Sequence, residues 1–140
     1  MNLMPLNPCI NLQFNGQCEA AFRFYERCLG GKISYMLAWG DSPMAKDAPP
    51  AWGKKICHAT LLLGDTRLQG SDPAPGSYEQ ARGFGITISP EASDAERMFG
   101  ELAEGGTILV RLEKTFWAER FGVVTDRFGI PWLINCEKSN

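Results

Sequence analysis

Two kinds of hydrophobic pattern follow one another along the chain. Over Cys9–Phe14, Ile10, Leu12 and Phe14 fall on one side and Cys9, Asn11 and Gln13 on the other. That period of two predicts a strand with one apolar and one polar face. Asn15-Gly16 turns the chain. From Glu19 to Leu29 the period lengthens: Phe22, Tyr25 and Leu29 form a stripe that Ala21, Phe24 and Cys28 widen. This predicts a helix buried along one side. Gly30-Gly31 then supplies the left-handed backbone that ends it. Strands are expected over Lys32–Leu37, Ile56–Leu63 and Arg67–Ser71, the last two joined by a tight turn at Gly64-Asp65. Residues 40–54 carry Pro43, Pro49 and Pro50 and predict a loop or lid. Trp39 and Trp52 flank or enter it, either to pin it to the core or to line a pocket.

After a linker over Asp72–Arg82 the pattern starts again. A strand is expected at Phe84–Ile88 and a helix at Ser93–Ala103, with Ala95, Met98, Phe99 and Leu102 on its buried side. Ser89 or Ser93 is the candidate cap. Gly105-Gly106 ends the helix, and strands follow at Thr107–Leu112, Phe121–Thr125 and Trp132–Asn135. Glu19-Ala20, Phe24 and Gly30-Gly31 match Asp94-Ala95, Phe99 and Gly105-Gly106 at one offset of 75 positions. The first strands fit at nearly the same offset. The chain therefore reads as a duplicated βαβββ unit, over 8–72 and 83–137. The fold class is α+β. Neither half can bury its sheet alone, and two such sheets are expected to curl around a shared cleft with the helices outside.

Helices need apolar strand faces beneath them. Ile10, Leu12, Phe14, Ala59, Leu61 and Leu63 serve this role. The opposite faces then carry Asn11, Gln13, His58, Thr60 and Leu62. Gln69 and Ser71 join them on the hairpin partner, with Asp72 at its end. In the second half the same parity offers Leu133, Asn135 and Glu137. Buried polar groups are costly unless paired, so a polar pocket for a ligand, metal or water is the economical explanation.

His58 is the only histidine. Its side chain titrates near neutrality, which makes it the first candidate for acid–base or ligand duty. Asp72 and Glu113 are candidate catalytic carboxylates. Asp126, before the last strand, is expected to cap the turn Asp126-Arg127-Phe128-Gly129 through its own backbone. Trp117 and Trp132 can stack on a flat ligand. The candidate binding set is Asn11, Gln13, Thr60, Ser71, Trp117, Trp132 and Asn135. One histidine makes no metal site alone; a divalent ion at His58 would need carboxylates from Asp72, Glu113, Asp126 or Glu137.

Composition narrows the field. The chain has 140 residues, 44% of them apolar and 21% charged, with a formal charge of -2. That suits one compact domain rather than a disordered chain. No basic cluster offers a surface to nucleic acid. No apolar run reaches membrane-span length, and the N-terminal residues lack a signal-peptide pattern. Five cysteines without a C-x-x-C motif fit a reducing cytoplasm.

These blocks resemble the vicinal-oxygen-chelate superfamily, shared by glyoxalase I, bleomycin-resistance proteins and extradiol dioxygenases. More narrowly they resemble its PhnB-like branch, historically labelled demethylubiquinone methyltransferase-like. The matching stretches are Pro5-Leu6-Asn7-Pro8, Phe14-Asn15-Gly16, Phe24-Tyr25, Leu29-Gly30-Gly31, His58-Ala59 and Gly70-Ser71-Asp72. The C-terminal block from Thr115-Phe116-Trp117-Ala118 through Thr125–Asn135 completes them. The resemblance implies paired βαβββ modules around a cleft, a homodimer, and in some members a divalent metal held from the first strand of each module and from the last strand. Here those positions fall near Cys9 or Asn11, near Phe84 or Gly85, and on Leu133. The usual triad is absent, so the activity of metal-dependent members does not carry over. No cofactor-binding glycine loop supports the methyltransferase label. The expectation is a cleft enzyme for a small oxygen-rich metabolite, with or without a divalent metal. The alternative is a metal-independent small-molecule binding protein, and a third reading is a structural dimer whose cleft is filled by its own side chains.

Overall fold

The computed structural model describes residues 5–138; Met1–Met4, part of the N-terminal segment read for a targeting signal, lie outside the described residues. The elements are β1 (Ile10–Gln13), α1 (Cys18–Leu29), β2 (Lys32–Ala38), β3 (Ile56–Leu63), β4 (Thr66–Ser71), β5 (Ile86–Ile88), α2 (Ala92–Ala103), β6 (Thr107–Glu113), β7 (Ala118–Thr125) and β8 (Pro131–Glu137). The chain divides after Tyr78 into two compact units.

Each unit holds one helix and one four-stranded mixed sheet. The strand orders are β1-β4-β3-β2 and β5-β8-β7-β6. In both, the first and last strands of the unit pair in parallel and the remaining neighbours are antiparallel. The repeated βαβββ order read from the sequence is thus a repeated topology. No helix among the described residues is long and apolar enough to cross a membrane.

In the first unit α1 buries Cys18, Ala21, Phe22, Phe24, Tyr25 and Cys28. Leu12, Phe14, Ala59, Leu61 and Leu68 are also buried. A fully buried Phe such as Phe22 contributes about 1.5–3 kcal/mol. The helix approaches the sheet at Gly70, where an added Cβ would stand 2.7 Å from Phe22 Cζ. Gly30 adopts φ 73° and donates its N–H to Glu26 O, closing the helix.

In the second unit α2 buries Ala95, Phe99 and Leu102. Strands β7 and β8 bury Val124, Trp132, Ile134 and Cys136. The expected serine cap is not used. The position before the helix is Glu91, which makes no side-chain cap. Its carbonyl accepts from Asp94 and Ala95. Ser93 lies inside the first turn and Ser89 lies outside the helix.

The segment expected as a loop or lid is punctuated by three short 3₁₀ turns, Trp39–Asp41, Ala45–Asp47 and Pro50–Trp52. The base is closed by Trp39 N–H to Lys55 O and Gly40 N–H to Gly53 O, both 2.8 Å.

Candidate functional site

The alternation of β3 and β4 separates two faces in the first unit. Ala59, Leu61, Leu68 and Gly70 are buried on the helix side. The other side is open and polar. Strand pairing lines up Asn11 with Gln69, Gln69 with Thr60, and Thr60 with Tyr35. One polar row therefore crosses all four strands. Asn11 and Gln13 are exposed; Thr60, Gln69 and Ser71 are half-buried. Gln13 pairs with Ser71 one step along. These are the face assignments that parity predicts, and the structure brings Asn11, Gln13, Thr60 and Ser71 onto one surface.

His58 belongs to this face, opposite Leu37. Its ring lies 5.9 Å from that of Tyr35, tilted by 50°. Tyr35 was not singled out from the sequence. A bulge between Ile33 and Tyr35 breaks the alternation of β2 and hides its parity. Tyr35 remains 49% exposed and His58 half-buried beside it.

Asp72 has a different place. It is 1% exposed, and its Oδ1 accepts the N–H of Cys18 at 3.0 Å while Oδ2 accepts that of Ile56 at 2.9 Å. Its carbonyl accepts the Trp39 indole N–H at 2.8 Å. Both carboxylate oxygens are spent on backbone, so Asp72 positions the start of α1, the start of β3 and the 40–54 segment. The expectation of a catalytic carboxylate at Asp72 is corrected to this role. The same contact settles Trp39 as a pin. Burial pushes the nearby Cys18 thiol well above its ordinary range, and the charges of Asp72 and Glu19 add to the effect.

A groove of about 460 Å³ lies beside Asp72, between Glu19, Arg23, Lys54 and Lys55. Two of its cations are already engaged. Lys55 donates to Gly16 O at 2.9 Å, and Arg23 pairs with Glu19 at 3.2 Å.

In the second unit Trp132 is 0% exposed and lies on the helix side with Ile134 and Cys136. Its indole N–H donates to Asp126 Oδ2 at 2.8 Å. The expected ligand-stacking role is corrected: Trp132 is core. Asp126 Oδ1 accepts from Phe128 and Ile130, as the turn predicts. Arg127 pairs with Glu104.

The open face of the second sheet carries the other candidates. Glu113 pairs with Phe121, and Phe121 with Asn135. Trp117 packs edge-on to Phe121 at 5.2 Å and to Phe116 at 4.7 Å. Phe116 and Phe121 stand outside the candidate set, although Phe116 lies in the matching block beside Trp117. Glu113, Trp117 and Asn135 thus each neighbour Phe121 in this unit.

A divalent metal of the kind implied by the resemblance takes several oxygen or nitrogen donors. Asn11, Thr87 and Leu133 occupy the open-face positions of β1, β5 and β8. Among the described residues no three His, Cys, Asp or Glu side chains converge. The side chains at these positions do not fit such an ion.

Comparison with known proteins agrees with the fold. Residues 8–134 match the model of the Glyoxalase/Bleomycin resistance protein/Dioxygenase superfamily. The chain is 34% identical to Protein YjdN of Escherichia coli, over 96% of this chain and 97% of that one. The solved structure of protein PA1353 from Pseudomonas aeruginosa is 43% identical, with a TM-score of 0.87 over 96% of this chain and 100% of that one. A PhnB protein from Bacillus cereus shares the fold at 19% identity, with a TM-score of 0.79 over 94% and 99% of the two chains. With its duplicated βαβββ topology and a family match that runs nearly end to end, the chain belongs to the glyoxalase/bleomycin resistance/dioxygenase superfamily.

Proposed function

We propose that the chain is a small-molecule-binding member of its superfamily, and that the open face of the first sheet is its main ligand platform. The observation that carries this reading is the polar row Asn11–Gln69–Thr60–Tyr35, with the His58 ring tilted against that of Tyr35. Amide, hydroxyl and imidazole groups in one row offer both donors and acceptors to a small, oxygen-rich ligand. Gln13 and Ser71 extend the row.

A second reading is catalysis with His58 as general base. It is favoured by the absence of any hydrogen bond to the His58 ring among the described residues. That leaves a ring nitrogen available to take a proton from a bound molecule. Turnover of a candidate ligand, lost in His58→Gln with binding retained, separates this reading from binding alone.

The chain is further proposed to act as a homodimer in the cytoplasm. Strand β6 supports the first part. It is an edge strand whose Ile108, Leu109 and Val110 are 50%, 61% and 46% exposed. Exposed apolar edges are normally covered in the working assembly. Five free cysteines support the second part.

The platform is tested by titrating the full chain with a set of small planar and polyhydroxylated fragments and following backbone amide signals. The reading expects shifts gathered at Tyr35, His58, Thr60 and Gln69.

A further inference from the structure

The open face of the second sheet combines three features that the fold alone does not account for. The first is an aromatic chain. Phe116 is 87% and Trp117 47% exposed, and both stack edge-to-face in series with Phe121. Exposing two large rings in succession is costly for a surface with nothing to bind. The second is an acceptor without a donor. Asn135 Oδ1 is buried and meets no hydrogen-bond partner. Its desolvation has been incurred in folding and is repaid by any N–H that reaches it. The third is a carboxylate in the same cross-strand row. Glu113 pairs with Phe121, which pairs with Asn135, and no ion pair among the described residues engages Glu113. Arg120, the cation on the neighbouring strand, is directed to Glu96 at 4.0 Å.

Aromatic faces attract cations. A carboxylate attracts them too, and an amide oxygen accepts from N–H. All three features therefore select the same chemistry. We infer that Glu113, Trp117, Phe121 and Asn135 form a subsite for a flat organic cation bearing N–H donors, of the amidinium or protonated amino-heteroaromatic class. The inference deepens the binding role proposed above, but it stands on residues of the second unit alone.

Three probes of one shape test it: 2-naphthamidine, cationic at neutral pH, the neutral 2-naphthamide and the anionic 2-naphthoate. Each is titrated calorimetrically into the full chain. The amidinium is expected to bind at least about tenfold tighter than the amide, and the carboxylate weakest of the three. Glu113→Gln brings the amidinium down to the level of the amide and leaves the amide unchanged. Asn135→Leu weakens both N–H donors by about fivefold, and Trp117→Ala weakens all three probes. Glu113 and Trp117 are exposed, so those two variants keep the wild-type melting temperature and the test does not depend on the half-buried Asn135. Naphthoate binding as tightly as the amidinium would show that the flanking Arg111 and Lys114 govern the face and would overturn the subsite. So would a cation preference that survives Glu113→Gln, binding of none of the three, or a dilution series in which Trp117 is covered by a second copy at every concentration that binds probe. The first-sheet platform is read separately, from amide shifts at Tyr35 and His58 in the unaltered chain, so either proposal can fail alone.

Discussion

Asp72 Oδ2 accepts the backbone N–H of Ile56 at 2.9 Å, two residues before His58 on the same strand. Its other oxygen holds the N–H of Cys18 at the start of α1. One carboxylate thus fixes helix and strand where the candidate face begins. Removing it leaves two buried N–H groups unpaired. Asp72→Ala is expected to cost about 3 kcal/mol, and Asp72→Asn, which retains one acceptor, about half that. Urea unfolding measures both.

Asp126 plays the matching part in the second unit, with a different set of donors. It holds two turn amides and the buried Trp132 indole. Asp126→Ala is predicted to destabilise by about 3 kcal/mol, and to alter Trp132 emission in the folded state as its N–H loses an anionic acceptor. An emission spectrum unchanged from wild type would show that the indole bond is not what holds Trp132.

The Cys18 thiol gives a pH dependence of defined sign. Burial, then Asp72 and Glu19, raise its pKa in the folded state above the ordinary 9.0. The folded chain therefore holds this proton more tightly than the unfolded one. The associated stability is fully present below pH 9 and is lost as pH rises beyond it, by about 1.4 kcal/mol per pH unit. Denaturant midpoints from pH 7 to 11 should fall less steeply in Cys18→Ala than in wild type.

Leu109 tests the dimer. It is the most exposed of the three β6 apolar residues. Leu109→Lys should convert a dimer to a monomer in sedimentation equilibrium while leaving the circular dichroism spectrum unchanged. A wild-type chain that sediments as a monomer would overturn the proposed dimer.

Much of this arrangement was legible in the sequence. The stripe of Ala21, Phe22, Tyr25 and Cys28 marked α1, and the alternation of Ala59 and Leu61 against His58 and Thr60 marked the two faces of β3. The 75-position repeat marked the shared topology. Parity also held information that residue type overrode. Asp72 and Trp132 sit on the helix-side phase of their strands, yet a carboxylate and an indole near a proposed site suggested ligand contact. What parity lacked was register. The row Glu113–Phe121–Asn135 depends on irregular pairing between β6 and β7, and Tyr35 reaches His58 through the bulge in β2. Such offsets arise from tertiary pairing and leave no periodic trace.

The proposed ligand platform is the face bearing His58, Thr60 and Gln69. The direct measurement is a ¹H–¹⁵N titration of the full chain with the fragment set, repeated on His58→Ala and Gln69→Leu. Amide shifts are expected to cluster at Tyr35, His58, Thr60 and Gln69, with affinity reduced about three- to tenfold in each variant. Shifts that avoid this face, or affinities within twofold of wild type in both variants, would contradict it.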